Sequence, residues 1–232
     1  MRKILTALVV LLVLLVVVDR GASALAARII ATELQRSGPL AQRPDVTIGG
    51  FPFLTQALRG DYDRIEVQAQ RVPAGDDLVL ADLTAVLTGV QLSVSSALSA
   101  GVKRVPVATI DARARLSYAD LARRSGARTL ILSGAGDQVR VRGSVQILGR
   151  TVAAEALSTV TLQAGVVVVT AQSFEVGNTA ADAVLTRALQ GRFDLRVPIG
   201  TLPYGLVVTG IEVEPAGIVL LAKARDSVLS AG

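Results

Sequence analysis

The side chains that most often carry chemistry are the ones this 232-residue chain lacks: it has no histidine and no cysteine. A Ser-His-Asp or Cys-His triad needs imidazole as its base, and the usual zinc site needs imidazole or thiolate ligands. Both are closed, as is any disulfide framework. Lysine occurs only at Lys3, Lys103 and Lys223, so hydrolysis would rest on carboxylate pairs, a Ser-Lys pair or an oxygen-ligated metal. Asp61-Tyr62-Asp63 has the D-x-D spacing of metal-dependent glycosyl transfer, a chemistry that needs a nucleotide-sugar. Gly134-Ala135-Gly136 lacks the third glycine and the following helix of a dinucleotide loop, so a hairpin turn is the better reading. Arg113 with Arg115, and Arg140 with Arg142, project in pairs from single strand faces. Such pairs can grip phosphate, but a solvated strand face produces the same pattern. No catalytic residue, metal ligand or cofactor site emerges.

The amino terminus narrows the partners further. Arg2-Lys3 precedes an unbroken apolar run from Ile4 to Val18, closed by Asp19-Arg20. Two cations ahead of such a run are the n-region and h-region of an export signal. The expected location is therefore the extracytoplasmic cell envelope, away from nucleotide-sugars and nucleic acid. The run is shorter than the ~20 residues of a usual bilayer-spanning helix, and Ala22-Ser23-Ala24 is an A-x-A tripeptide that a signal peptidase could cut. From Ala22 to Arg36, however, the chain reads as an amphipathic helix, with Leu25, Ala26, Ile29, Ile30 and Leu34 on one side. Residues 1–20 are thus a cleaved signal peptide or a retained signal anchor, and residues 21–232 a single domain.

Past residue 24 the chain carries 21 Lys and Arg against 18 Asp and Glu, a net charge of +3. That is a mild bias towards anionic lipid headgroups. Trp is absent, and Phe and Tyr together number seven, so the aromatic platforms of sugar grooves and single-stranded nucleic acid sites are missing.

The elements that would position any site are mostly strands. Val139, Val141, Val145 and Ile147 alternate with polar residues, as do Ile65, Val67 and Ala69, the signature of half-buried strands. Further strands are expected at 78–92, 104–116, 151–163, 165–176, 192–197, 206–214 and 217–224. Ser117 can cap a short helix over Tyr118 to Arg124. Asn178 or Thr179 can cap another that Gly191 would end. In 78–90, Val79, Leu83 and Leu87 fall on one face and Leu78, Leu80, Val86 and Val90 on the other. Either a second layer covers that face, or the sheet curves around an apolar lumen.

The most distinctive stretch is Gly49-Gly50-Phe51-Pro52-Phe53-Leu54-Thr55-Gln56-Ala57-Leu58-Arg59-Gly60-Asp61-Tyr62. Pro52 stiffens an entry turn, Phe53, Leu54 and Leu58 place apolar bulk on a short helix, and Gly60 releases the chain into a strand. This pattern resembles the LmeA-like phospholipid-binding family of exported actinobacterial proteins. Val197-Pro198-Ile199-Gly200-Thr201-Leu202-Pro203-Tyr204-Gly205-Leu206 and Asp19-Arg20-Gly21 are also similar to that family, over roughly residues 19–228. The resemblance implies phospholipid binding and a role in maturing envelope lipoglycans, and it implies no defined catalytic site.

Together these readings predict an α+β fold: a long, strongly twisted antiparallel sheet wrapped around or packed on an N-terminal helix, with two short helices, enclosing an apolar groove or tunnel. The expected partners are a phospholipid or other acyl lipid and the outer surface of the plasma membrane. Leu25, Ile29, Phe51, Phe53, Leu54, Leu58 and Tyr204 are the candidate lipid contacts. Two rivals stand beside non-enzymatic lipid binding: a carboxylate-dependent lipoglycan enzyme, and an adaptor for a membrane enzyme.

Overall fold

The computed structural model describes residues 2–37, 40, 42–73, 79–92, 104–124, 129–147, 150–177, 179–199 and 202–229. It is an α+β fold built on one long helix and two antiparallel sheets. Helix α1 runs unbroken over Arg2–Ser37. The first sheet has the order β1 (Asp45–Ile48), β2 (Asp61–Pro73), β3 (Val79–Gln91), β4 (Val105–Ser117), β12 (Gly217–Leu229), β11 (Val207–Glu214). The second has the order β10 (Leu195–Pro198), β8 (Val166–Val176), β7 (Arg150–Gln163), β6 (Gln138–Ile147), β5 (Ile131–Ala135), with β9 (Thr179–Ala180) beside β8. Helices α2 (Phe53–Arg59), α3 (Tyr118–Arg124) and α4 (Ala183–Phe193) fill the connections.

Two apolar cores divide the first sheet's inner face. One joins the two sheets, through Leu116, Ile218 and Leu220 on the first and Val139, Val141 and Val167 on the second. The other lies under α1, where Ala27 and Ala31 meet Ile65, Leu87, Val107 and Ile110. Between them Ala85, Ala112 and Ala222 are direct cross-strand neighbours.

The sheet is creased. All three ladders from β2 to β12 skip the same transverse row: between Tyr62↔Val90 and Arg64↔Thr88, between Thr88↔Thr109 and Val90↔Val107, and between Arg225↔Thr109 and Ser227↔Val107. Gly89 (φ 63°) and Asp226 (φ 48°) lie on this row. A Cβ on Gly89 would come within 2.9 Å of the Ala108 Cβ, which leaves only glycine there. Crossing the row shifts the buried side chains by three positions instead of two, from Ile65 to Tyr62, Leu87 to Val90, Ile110 to Val107 and Ala224 to Ser227. A similar flip at Arg71 (φ 50°) carries the buried positions from Ala69 to Val72 and from Leu83 to Leu80.

These flips correct the expectation of two greasy faces on β3. Leu80, Leu83, Leu87 and Val90 all join the inner face, because the strict period-two count ignores the reversals. Leu78 lies outside the described residues.

Ser117 caps α3 as expected, accepting the Asp120 N–H at 3.1 Å. Asn178 lies outside the described residues, and α4 starts later than expected, with the Asp182 carboxylate accepting the Val184 N–H at 3.0 Å. Helix α4 also runs through Gly191, so the strand expected from 192 begins at Leu195. The physical reason is Phe193: the last turn carries it into the core, edge-on to Phe174 with ring centroids 5.2 Å apart. Just beyond, the Asp194 carboxylate accepts the Ala171 N–H at 2.9 Å, a position that β10 does not reach. Replacing Asp194 with Ala strands that buried amide. The expected cost is about 1–2 kcal/mol, measured as a lower urea midpoint at an unchanged m-value.

Candidate lipid-facing site

The distinctive 49–62 segment folds into a clasp that holds α1. Helix α2 begins at Pro52, which has no side-chain group to cap it. Asp19 of α1 takes that role from 35 residues away: its carboxylate accepts the Leu54 N–H at 2.9 Å, and the residue is 1% exposed. An orphan amide at a helix N-terminus is a natural seat for a carboxylate. Arg20 closes the other side, pairing with Asp19 at 2.8 Å, donating to the Gly50 carbonyl at 3.0 Å and lying over the Phe51 ring. Ser23 is buried one turn on, against β1.

The polar residues of the segment hold its own shape. Gln56 is buried; its amide donates to the Gly49 carbonyl at 3.2 Å and accepts the Asp63 N–H at 2.9 Å. Gly50 has φ 86°, and a Cβ there would fall 2.5 Å from the Gln56 amide nitrogen. Gly60 ends α2 in the left-handed region and donates to the Gln56 and Ala57 carbonyls, the glycine C-cap arrangement. Phe53 points inward onto Tyr62, ring centroids 6.2 Å apart, and burial pushes the Tyr62 hydroxyl pKa up.

The candidate lipid contacts divide into three groups. Phe53 is core and Leu54 is half-buried beside it. Phe51 and Leu58 are exposed on the outside of the clasp, Leu58 at 87%. Tyr204 is exposed on a one-turn 3-10 helix (Pro203–Gly205) whose carbonyl at Tyr204 accepts the Ser227 hydroxyl at 2.9 Å. Ser227 lies beyond the crease, so Tyr204 shares the clasp's end of the sheet.

Leu25 and Ile29, the candidate lipid contacts on α1, point outward at 61% and 62% exposure. The helix meets the sheet most closely through Ser23, Ala27 and Ala31, with Ile30 and Leu34 packed half-buried against the same core.

The two arginine pairs that the sequence places on single strand faces are matched by carboxylates. Arg113 pairs with Glu212 at 2.9 Å and Glu214 at 2.5 Å, Arg115 with Asp82, and Arg140 and Arg142 with Glu155 at 2.6 and 2.7 Å. The Arg113 pKa is pushed up, chiefly by its bond to Glu214. These pairs are solvated strand faces, not open phosphate grips. No group of three or more Asp or Glu among the described residues is placed to hold a metal.

Sequence reasoning missed a cleft of about 500 Å³ where the chain enters β1, lined by Arg43, Asp45, Gln68, Gln70, Asp82 and Arg115, among others. A smaller one of about 330 Å³ follows α1 past Arg28, Ile29, Thr32 and Arg43. Neither is an apolar lumen. Arg43 joins them, donating to the Arg28 carbonyl at 2.8 Å and to the Thr32 hydroxyl.

A long helix, apolar and exposed in its first half, is keyed by a buried aspartate into a β-rich body. Residues 17–223 match the family described as LmeA-like phospholipid-binding, and the chain belongs to that family. Neither the curated proteins nor the solved structures contain a match. The matched region starts within the apolar run, so it includes both halves of the clasp.

Proposed function

We propose that the protein binds phospholipid or another acyl lipid without chemistry, at the outer face of the plasma membrane, and thereby supports assembly of envelope lipoglycans. The observation that carries this reading is the continuity of α1. Its first half is apolar and exposed from Ile4 to Val18, and its second half is fixed to the body by Asp19 and Ser23. Ser23 is also the central residue of the A-x-A tripeptide, so cleavage there would remove Asp19, the acceptor that caps α2. This favours a retained anchor over a removed signal. Phospholipid binding in the family supports the choice of ligand.

Leu25, Ile29, Phe51, Leu58 and Tyr204 supply outward apolar surface for acyl chains, and Phe53 and Leu54 anchor the clasp in the core. Each methylene removed from water contributes ~0.8 kcal/mol, so a long chain binds tightly with few polar contacts. The matched arginines agree with binding by burial.

Native mass spectrometry of the full chain, released from detergent, tests the proposal. A co-purified lipid is expected. Single Asp61→Ala, Asp63→Ala, Glu212→Ala and Glu214→Ala variants should keep their lipid and lose under ~1 kcal/mol of stability each, as exposed charges do. Absence of any bound lipid would sink the reading. A carboxylate variant that stays loaded and folded but loses function in the envelope would favour the enzyme instead.

A further inference from the structure

We infer that the creased end of the first sheet is a membrane-seating surface, in which Phe51, Leu58 and Tyr204 enter the headgroup–acyl boundary of the outer leaflet beside the base of α1. The inference rests on the reading of α1 as a membrane anchor and adds what that reading leaves open: which face of the body meets the bilayer.

Three observations place it. First, Asp19 directly follows the apolar run and binds the Leu54 amide. The first turn of α2 therefore lies level with the point where the helix leaves the hydrocarbon. Second, outside α1 seven large apolar side chains are exposed among the described residues: Phe51, Leu58, Ile131, Val184, Tyr204, Val207 and Val228. Phe51, Leu58, Tyr204 and Val228 belong to the end beyond the crease. From β2 to β12 is three strand spacings, ~14 Å, which sets the width of this end. Val228, next to the buried Ser227, falls on the other face of the sheet, leaving Phe51, Leu58 and Tyr204 on the side of α1. Third, the run from Ile4 to Val18 spans only ~22 Å as a helix, against a hydrocarbon core of ~30 Å. An apolar flank beside the next turn of the helix supplies part of the missing height.

The charges at this level allow it. Asp19 is held by Arg20 and the α2 amide, so its own carboxylate meets the boundary already paired. Arg59 and Arg225 are exposed nearby, but so are Asp61, Asp63 and Asp226. With the signs mixed, burial and not attraction to anionic lipid drives the contact. Seating is therefore expected to depend little on lipid charge or salt.

The absence of cysteine makes the test clean. The full chain would carry one introduced cysteine at a time, Leu58→Cys, Val10→Cys or Val184→Cys, labelled with an environment-sensitive fluorophore. It would be reconstituted into vesicles of phosphatidylcholine and phosphatidylglycerol. Leu58 and Val184 are both strongly exposed, so neither change disturbs packing. The label at 58 should emit to the blue and be quenched about twofold or more by lipids bearing a nitroxide high on the acyl chain. The label at 184, on α4, should remain aqueous, and the label at 10 should be quenched by deeper nitroxides. Quenching at 10 with an aqueous 58 would overturn the seating surface and leave the anchor intact. An unquenched 10 would overturn both. Blue emission at 58 that lipid nitroxides do not quench would mean a protein partner or second copy covers the patch, and equal quenching at 58 and 184 would mean unspecific adsorption. Either result overturns the inference.

Discussion

Gly134→Val is expected to destabilise the protein by about 3 kcal/mol, in the upper range for overpacking a site that cannot yield. Gly134 on β5 lies where the two sheets meet, against the end of β11. A Cβ there would sit 2.7 Å from the Glu214 carbonyl oxygen, 3.0 Å from the Tyr118 hydroxyl and 3.1 Å from the Pro215 Cα. Tyr118 donates to that same carbonyl at 2.6 Å, and burial, with the charge of Glu214, pushes its pKa up so that it stays a donor. Two of the three obstacles are backbone, so no side chain can swing aside. Gly217 is tighter still, with a Cβ at 2.3 Å from the Leu116 carbonyl oxygen, and Gly217→Ala should cost a similar amount. Gly191→Ala is the control: its Cβ meets nothing within 4 Å on an exposed helix face, so it should be neutral or stabilise by up to ~1 kcal/mol. Urea midpoints measure all three. A loss under 1 kcal/mol for Gly134→Val would mean that the sheets slide apart freely at this junction.

Much of the fold is legible in the chain because alternation is a local property. The runs around Val139 to Ile147 and Ile65 to Ala69 form strands at the expected places, and Gly136 turns the hairpin between β5 and β6. What escaped has non-local causes. Strand β1 is four residues long and β5 contains a glycine, so neither is long enough to show a period. Gly89 hints at the crease, and Asp226 is of a type that tolerates positive φ, but Arg71 adopts it with no sequence signal. Such conformations persist where the surrounding sheet over-determines them. Gly191 looked like a helix terminator until the pull of Phe193 into the core is counted.

The site was half legible. Pro52 and Gly60 marked a special backbone, and Gly60 does end α2 in the left-handed region; the bracing role of Gln56 carried no signal in the sequence. Of the five residues read as one side of α1, Ala26, Ile30 and Leu34 pack against the core and Leu25 and Ile29 do not. In a helix laid closely on a sheet small residues make the nearest contact: Ala27 and Ala31 are buried, while Leu25 and Ile29 are left outside. The role of Asp19 was invisible because its partner is 35 residues away. One clue existed, since a short helix opened by proline with no capping side chain must find its cap elsewhere.

That cap sets the second large expectation: Asp19→Ala should unfasten the clasp and abolish most lipid loading, whereas Asp19→Asn should retain it. Alanine removes the acceptor of the Leu54 N–H and the partner of Arg20, leaving the first turn of α2 uncapped. Asparagine keeps an oxygen for the Leu54 amide. Hydrogen exchange at the Leu54 amide should quicken about tenfold or more in the alanine variant, as expected when one strong hydrogen bond is lost. Proteolysis within 49–60 should quicken with it. Phe51 and Leu58 flank this helix, so they lose their fixed position relative to α1 when the cap goes. Native mass spectrometry then reads the consequence. Unchanged Leu54 protection in Asp19→Ala would mean the carboxylate does not hold α2 in solution. Lost protection with full lipid loading would separate the two, making the clasp a device for mounting the body on its helix and moving the lipid contacts to another face.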